Sequence, residues 1–390
     1  MSGYLDGRGD PTPELLEAVR ERLGVGSGAV TPARVLEAVA ALTPVRGAAQ
    51  LRSVGAWVSE RLIGLGPLQA LAEAPGVSDV LVLADGAVWV EDAAGLHLAP
   101  LRMDDDEERR RLATRLMALG GRRIDDARPF ADVVLGPWRV HAVLPPVSRE
   151  GTVLSIRVLG RRESTLAELF PGRDDPWRGW LRHAVDARMN LLISGGTGAG
   201  KTTLLSALLA ASPQHERIVV VEDAGELAPA HPHVVALQTR ASNAEGRGEV
   251  GLAELIRQAL RMRPDRLVVG ECRGEEIREL LMALNTGHHG AAGTVHANAA
   301  EDVPARLIAL GALAGWDERS TALLVSAALD AVVHLGRDAD GRRRPVSMVR
   351  LVSAGGRLES EAIVDTDPGG APRPGPAFAW FAAHRRGAAA

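Results

Sequence analysis

The sequence predicts an α/β protein in which a parallel sheet carries helices on both faces, preceded by a smaller α+β domain. Beyond residue 180, apolar runs alternate with helical stretches; the runs read NLLISG, IVVVED, RLVVGE, GTVHA and AVVHLG. Such near-continuous apolar strands are typical of a parallel sheet buried between helix layers. Between residues 67 and 159 the runs become short and alternating, as in VSDVLVL and TVLSIRVL, which favours a mostly antiparallel sheet.

Composition divides the chain into five segments. Residues 1–50 are rich in Ala, Pro and Gly with short helical periodicity, and we expect a variable helical or flexible N-terminal arm there. The α+β domain is predicted over 51–159, and a charged, proline-broken linker over 160–180. The strand-and-helix rhythm places the larger domain at 181–350. The segment PGGAPRPGP and the final alanines predict a flexible C-terminal tail over 351–390.

Overall composition is that of an ordinary globular protein, with 46% hydrophobic and 24% charged residues in 390. No apolar run reaches the roughly 18 to 20 residues that a membrane span needs, and the acidic N-terminus is unlike a secretory signal, so we expect a cytoplasmic protein. Cys272 is the one cysteine, which excludes an intramolecular disulfide. The net charge of -4 and 3% aromatic residues give no strong signal for nucleic-acid binding.

The lysine content marks one position. Of the 45 basic residues 44 are arginine, and the single lysine is Lys201. Where arginine serves as the general cation, a retained lysine indicates a place that needs a compact ammonium on a flexible stem, such as a gap between phosphates. Lys201 is the lysine of a G-x-x-x-x-G-K-[ST] motif.

That motif has the context of a phosphate-binding P-loop, or Walker A motif. It follows the apolar run NLLISG and opens the helical run KTTLLSALLAA, so backbone N–H groups can surround phosphates at a helix N-terminus. A nucleoside triphosphate is the predicted ligand, and the Thr202 hydroxyl is predicted to bind Mg²⁺. The predicted nucleotide-binding residues are Gly195, Gly196, Thr197, Gly198, Ala199, Gly200, Lys201, Thr202 and Thr203.

Carboxylates follow two later strands of the predicted sheet. Glu222, Asp223 and Glu226 come at the end of RIVVVEDAGEL, and Glu271 follows RLVVG. Because the carboxyl ends of parallel strands share one edge, these acids are expected beside the P-loop, where they could hold Mg²⁺ or orient water. A third block, GTVHAN, brings His296 to the same edge.

In order and spacing, these blocks resemble the type II/IV secretion traffic ATPase superfamily, and most closely its CpaF-like branch, which serves tight-adherence (Flp) pili. The resemblance covers roughly residues 51–340 and is most specific in LQTRASNAEGRGEV, LRMRPDRLVVGECRG and NTGHHGAAGTVHAN. It implies a RecA-like P-loop NTPase core. One departure is GAAGTVHAN, where Ala291 and Ala292 replace common hydroxyl residues. A chain with one cysteine also lacks the tetracysteine zinc module of the type II secretion branch.

The resemblance implies roles for individual residues. Glu222, Asp223 and Glu226 match the family's acidic box, with Glu222 and Asp223 as magnesium ligands beside Thr202. Glu271 matches the Walker B acid and His296 the histidine box. The family's N-terminal domain closes over the nucleotide and supplies arginines. Three arginines are therefore candidates for phosphate contact: Arg139, Arg157 and Arg240.

The predicted function is that of a hexameric motor that hydrolyses ATP to power pilus assembly or protein secretion. Its implied partners are inner-membrane platform proteins, through which it would associate with the inner face of the cell membrane. Glu226 and Glu271 remain alternatives for the residue that orients the attacking water. The alternative functions are a nucleic-acid motor or conjugal-transfer ATPase, and a scaffold that binds ATP without turnover.

Overall fold

The chain folds as two compact units, Met1–Gly160 and Arg161–Ala390. The computed structural model describes residues 4–6, 10–24, 31–43, 47–92, 94–159, 164–172, 174–240, 248–337, 342–367 and 370–384. Among the helices of these residues, none has the length and apolar character needed to cross a bilayer.

The first unit begins with three packed helices: α1 (Pro13–Gly24), α2 (Pro32–Leu42) and α3 (Ala48–Leu62). The Thr31 side chain accepts from the Arg34 amide, and Pro32 occupies the first helical position, so α2 starts with both common N-terminal signals. Apolar residues at helical spacing, among them Val19, Val39 and Val58, form a small core of their own.

The rest of the first unit is a six-stranded antiparallel sheet in the order β3-β2-β1-β6-β5-β4. Its strands are β1 (Asp79–Val82), β2 (Ala87–Asp92), β3 (Gly95–Arg102), β4 (Phe130–Leu135), β5 (Trp138–Val143) and β6 (Val153–Val158). A 3₁₀ turn at Gly66–Leu68 leads into α4 (Gln69–Ala72), and α5 (Asp106–Leu119) covers one face of the sheet. The alternating runs thus gave the predicted antiparallel α+β domain.

The second unit is built on a nine-stranded sheet in the order β15-β14-β13-β12-β7-β11-β10-β8-β9. The strands are β7 (Leu191–Gly195), β8 (Ile218–Glu222), β9 (Val234–Gln238), β10 (Arg266–Val269), β11 (Ala292–His296), β12 (Ala331–Arg337), β13 (Arg343–Ala354), β14 (Arg357–Thr366) and β15 (Pro372–Pro374). The six strands from β12 to β9 in this order are parallel, and β13–β15 are antiparallel.

Helices cover both faces of this sheet, which confirms the predicted α/β fold. They are α6 (Leu166–Leu169), α7 (Pro176–Asp186), α8 (Lys201–Ala210), α9 (Leu252–Leu260), α10 (Ile277–Asn285), α11 (Val303–Leu313), α12 (Glu318–Ala328) and α13 (Phe378–Ala383). Alternate residues of β8 enter different cores: Val219 packs with α9–α12, and Val220 packs with α6–α8 and α13. Both faces are therefore buried, as the apolar runs require.

The predicted linker at 160–180 is wrong over most of its length. Residues 166–169 form α6 and α7 begins at 176, while Leu166, Phe170 and Trp177 are buried in the core of the second unit. The polar and proline residues that suggest a linker are helix-start signals instead. Asp175, for example, accepts from the Trp177 amide and caps α7.

The predicted flexible tail at 351–390 is also wrong where the structure describes it. β13 and β14 extend the main sheet through this segment, and Ile363, Val364 and Phe381 are buried in its core. The prolines of β15 lie on the outermost strand, where a missing N–H disrupts no further ladder.

Parts of several predicted segments lie outside the described residues. They are 1–3, 7–9, 25–30 and 44–46 of the arm, 160–163 and 173 of the linker, 241–247 of the block LQTRASNAEGRGEV, and 368–369 and 385–390 of the tail.

Candidate nucleotide site

The P-loop lies where the central strand β7 turns into α8. Gly198 and Gly200 have φ angles of 69° and 93°, in the left-handed region that glycine adopts without a steric penalty. Gly200 caps α8, and its carbonyl accepts from the Leu204 amide. Thr197 and Gly198 of the loop are exposed, and Thr203 is exposed on the first turn of α8. The strand, glycine loop and helix match the predicted geometry.

Lys201 folds back over the loop that precedes it. Its Nζ donates to the carbonyl oxygens of Gly195 and Gly196, each at 2.9 Å. Burial lowers the pKa of Lys201, attraction to Glu271 and Glu226 raises it, and repulsion from Arg273 lowers it. The ammonium therefore lies within electrostatic reach of both predicted carboxylates.

Thr202 and Glu226 are brought together. The Thr202 hydroxyl is 3.4 Å from Oε2 of Glu226, across the edge between α8 and the loop that follows β8. Hydroxyl and carboxylate oxygens are the donors that Mg²⁺ prefers. Among the described residues there is no group of three or more His, Cys, Asp and Glu side chains placed to hold a metal ion. The Thr202 hydroxyl and the Glu226 carboxylate suit Mg²⁺, which commonly takes further ligands from phosphates and water.

Glu222 has a structural role that the sequence did not suggest. Its buried carboxylate accepts from the backbone amides of Glu226, at 3.2 Å, and Leu227, at 3.0 Å. Burial raises the pKa of Glu222 to about 7. Asp223 beside it is exposed, and its backbone carbonyl accepts from the Thr239 hydroxyl. Glu222 thus shapes the loop that carries Glu226.

Glu271 is paired with an arginine that sequence reasoning missed. Oε2 of Glu271 and Nη2 of Arg273 are 2.5 Å apart. This hydrogen bond and the attraction of Glu271, Asp223 and Glu226 raise the pKa of the Arg273 guanidinium. A backbone hydrogen bond anchors this segment to β11, because the Cys272 amide donates to the Thr294 carbonyl at 2.8 Å. Arg273 lies two residues after Glu271 in the sequence VVGECRG, and this short spacing was the available signal that the two side chains pair.

His296 lies directly beside the P-loop. In the parallel pairing of β11 with β7, His296 is opposite Gly195. It lines a cavity of about 610 Å³ together with Glu271, Arg273, Asn298, Asp302 and Arg306. The predicted His296 and Glu271 are therefore brought to one cavity.

A second histidine occupies the other neighbour of β7. His334 on β12 is opposite Ser194, and its Nδ1 is 2.9 Å from the Ser194 hydroxyl. Burial lowers the pKa of His334, and a hydrogen bond from its ring to the Asn298 backbone raises it. This residue was missed, since 140 residues separate the pair and no motif contains it.

The three predicted phosphate-contacting arginines have partners within their own units. Arg139 on β5 pairs with Asp132 at 2.6 Å, and Arg157 on β6 pairs with Asp79 at 3.2 Å, all within the first unit. Arg240 follows β9, and its Nε donates to the Gly248 carbonyl at 2.6 Å. Their phosphate roles stay predictions.

Comparison with known proteins identifies the family that this sequence matches. Residues 62–350 match the family described as type II/IV secretion system protein. A putative conjugal transfer protein of Mycobacterium tuberculosis is 50% identical over 317 residues, covering 79% of this chain and 90% of the relative. The type IV secretion system protein PtlH of Bordetella pertussis is 37% identical over 258 residues, covering 59% and 76%.

Solved structures agree on the fold. The pilus retraction motor PilT with bound ADP superposes with a TM-score of 0.51 at 21% identity, covering 77% of this chain and 84% of that one. The ATPase DotB of Yersinia pseudotuberculosis gives a TM-score of 0.52 at 18% identity, covering 73% and 77%.

Proposed function

Because the chain belongs to the type II/IV secretion system protein family, we propose that it hydrolyses ATP to power a secretion or pilus-assembly machine. The observation that carries this proposal is the placement of Lys201, the only lysine of the chain. It opens α8 at the P-loop, with its ammonium on the Gly195 and Gly196 carbonyls and two carboxylates close enough to alter its pKa. A compact cation beside the backbone amides of a helix N-terminus is suited to a triphosphate.

On binding, we propose that Lys201 exchanges its two carbonyl partners for oxygens of the terminal phosphates. The loop amides and the N-terminus of α8 hold the remaining phosphate charge. Bound Mg²⁺ would neutralise charge on the phosphate oxygens, and we place it on the Thr202 hydroxyl. The Glu226 carboxylate beside the Thr202 hydroxyl then orients that hydroxyl. Glu222 is not a metal ligand in this arrangement, because its carboxylate accepts hydrogen bonds from two backbone amides.

Glu271 is our choice for the residue that orients the attacking water. Its Oε2 is held by Arg273, which leaves Oε1 to accept a proton from water in the cavity it shares with His296. Water then attacks the γ-phosphorus, the bond to the bridging oxygen breaks, and ADP and phosphate are formed. Arg273 and Lys201 stabilise the charge that develops on the phosphate oxygens.

The machine that this ATPase serves is inferred from its relatives. We propose a homo-hexamer at the inner face of the cell membrane that acts on inner-membrane platform proteins, in a tight-adherence (Flp) pilus or a related system. The relative at 50% identity is named a putative conjugal transfer protein, which favours conjugal transfer as the second candidate.

The test is Mg²⁺-dependent ATP turnover by the full chain beside Lys201→Ala and Glu271→Gln, with molar mass measured by light scattering. Glu275→Gln, which removes an exposed acid four residues from Glu271, is the matched control. We expect turnover to be lost in the first two variants only, and particles of hexamer mass. Turnover equal in all four proteins would contradict the proposal, and turnover that requires added DNA would favour the conjugal-transfer candidate.

A further inference from the structure

The cavity that Glu271 lines extends from the edge of the sheet to a neighbouring helix. Its first wall is Glu271, Arg273 and His296, and His296 is opposite Gly195 in the sheet. Its far wall is the start of α11, from which Asp302 and Arg306 face the same space. At about 610 Å³ it has room for a hydrated anion in addition to the attacking water.

Arg306 is the unusual member of this cavity. Its guanidinium makes no hydrogen bond or ion pair with the part of the chain that the structure describes, and its Nε is fully shielded from solvent without a partner. A buried N–H donor that is left unsatisfied carries a desolvation penalty, so a partner for Nε is expected at this position.

The other charges in the cavity do not supply that partner. Oε2 of Glu271 is already paired with Arg273 at 2.5 Å, and this pair is close to neutral as a unit. Asp302 is exposed, and the one contact that links it to Arg306 is between backbones, Arg306 N to Asp302 O at 3.0 Å. Among the described residues, the Arg306 guanidinium thus has no ion-pair or hydrogen-bond partner in this partly enclosed space.

We infer that Arg306 binds the inorganic phosphate formed by hydrolysis and holds it before release. This inference rests on the proposed function, which supplies the phosphate. In the proposed reaction the γ-phosphate is released beside Glu271, and Glu271 and Arg306 line the same cavity. A guanidinium matches the planar spacing of two phosphate oxygens, and Asn298 adds an amide to the same wall. Phosphate held here would remain after the bond to ADP has broken.

The test is equilibrium binding of radiolabelled orthophosphate to the full chain saturated with Mg²⁺ and ADP, so that the P-loop is already occupied. We expect Arg306→Gln to weaken phosphate binding about tenfold or more and to leave the affinity for ADP unchanged. Arg306→Lys, which keeps the charge and loses the planar fork, should give an intermediate loss. Arg278→Gln on α10 removes an exposed arginine and serves as the control.

Each outcome has one meaning. Phosphate bound equally by the native chain and Arg306→Gln would overturn the inference, as would loss of ADP binding in that variant, because the effect would then reach the P-loop. Failure of the native chain to bind ADP at all would contradict the proposed function instead.

Discussion

Glu271 and Arg273 form an ion pair of 2.5 Å on the segment that follows β10, at the carboxyl edge of the parallel sheet. The pair fixes one oxygen of the proposed water-orienting carboxylate. It also places a guanidinium whose charge interacts with Asp223 and Glu226. One short segment therefore carries both the proposed water-orienting carboxylate, Glu271, and the Arg273 guanidinium.

The first prediction concerns Arg273. Replacement by Gln should lower turnover by about 100-fold with little change in KM, because Glu271 then loses the ion pair that fixes it to orient the attacking water in the transition state. The measurement is steady-state ATP hydrolysis, with Arg278→Gln as control. If Arg273 acts through Glu271, the double variant with Glu271→Gln should be no worse than Glu271→Gln alone. Additive losses would contradict this coupling.

The second prediction uses the buried carboxyl of Glu222. Folding raises its pKa from the ordinary 4.5 to about 7, so between these values the folded protein keeps a proton that the unfolded chain has released. Stability should therefore fall as pH rises through this window, by up to about 3 kcal/mol from this group. Glu222→Gln should flatten the dependence in urea unfolding.

Asp223→Asn is the matched control for that experiment, because the neighbouring acid is exposed. It should keep the native slope. A Glu222→Gln protein whose stability still falls from about pH 5 to pH 7 as steeply as the native chain would show that another group titrates.

Two adjacent glycines of the P-loop give the third prediction. A Cβ on Gly195 would lie 2.8 Å from the Leu335 carbonyl oxygen on β12, whereas a Cβ on Gly196 would have no described heavy atom within 4 Å. Gly195→Ala should therefore lower the free energy of unfolding by about 1 to 3 kcal/mol, and Gly196→Ala should change it little. Urea unfolding compares the two, and equal effects would refute the close approach.

The sequence predicted those parts of the fold and site that depend on local pattern. The run NLLISG, the glycine loop and Lys201 specify strand, turn and helix within twenty residues, and the carboxyl ends of parallel strands bring Glu271 and His296 to that loop. Roles that depend on tertiary partners were not predictable. Nothing local distinguishes Arg109, which is 2% exposed and donates to the carbonyls of Thr152 and Ala84, from the other arginines.

The tail shows a second reason for failure. The high content of proline, glycine and alanine in this segment predicts disorder. β14, however, has the alternating burial of a strand with one buried face, and Ile363 and Val364 near its end are buried. Composition outweighed periodicity in the prediction, and the periodicity was the better signal.

The fourth prediction tests whether that tail belongs to the core. Phe381 on α13 is 1% exposed and packs with the residues of α7 and β14. Phe381→Ala should destabilise the second unit by about 3 to 5 kcal/mol. Calorimetry of the full chain measures this, and Phe130→Ala, which truncates a side chain that is 60% exposed in the first unit, is the control. An unchanged unfolding temperature for Phe381→Ala would contradict the packing.

The most direct test of the central claim, that this P-loop uses its lysine to bind and hydrolyse ATP, is the turnover of Lys201→Arg. The substitution keeps the charge and gives the chain the cation that it uses at every other basic position. We predict that turnover falls by about 100-fold or more, because the planar guanidinium cannot occupy the narrow space between phosphates that an ammonium fills. Turnover equal to that of the native chain would show that Lys201 is not part of the catalytic site.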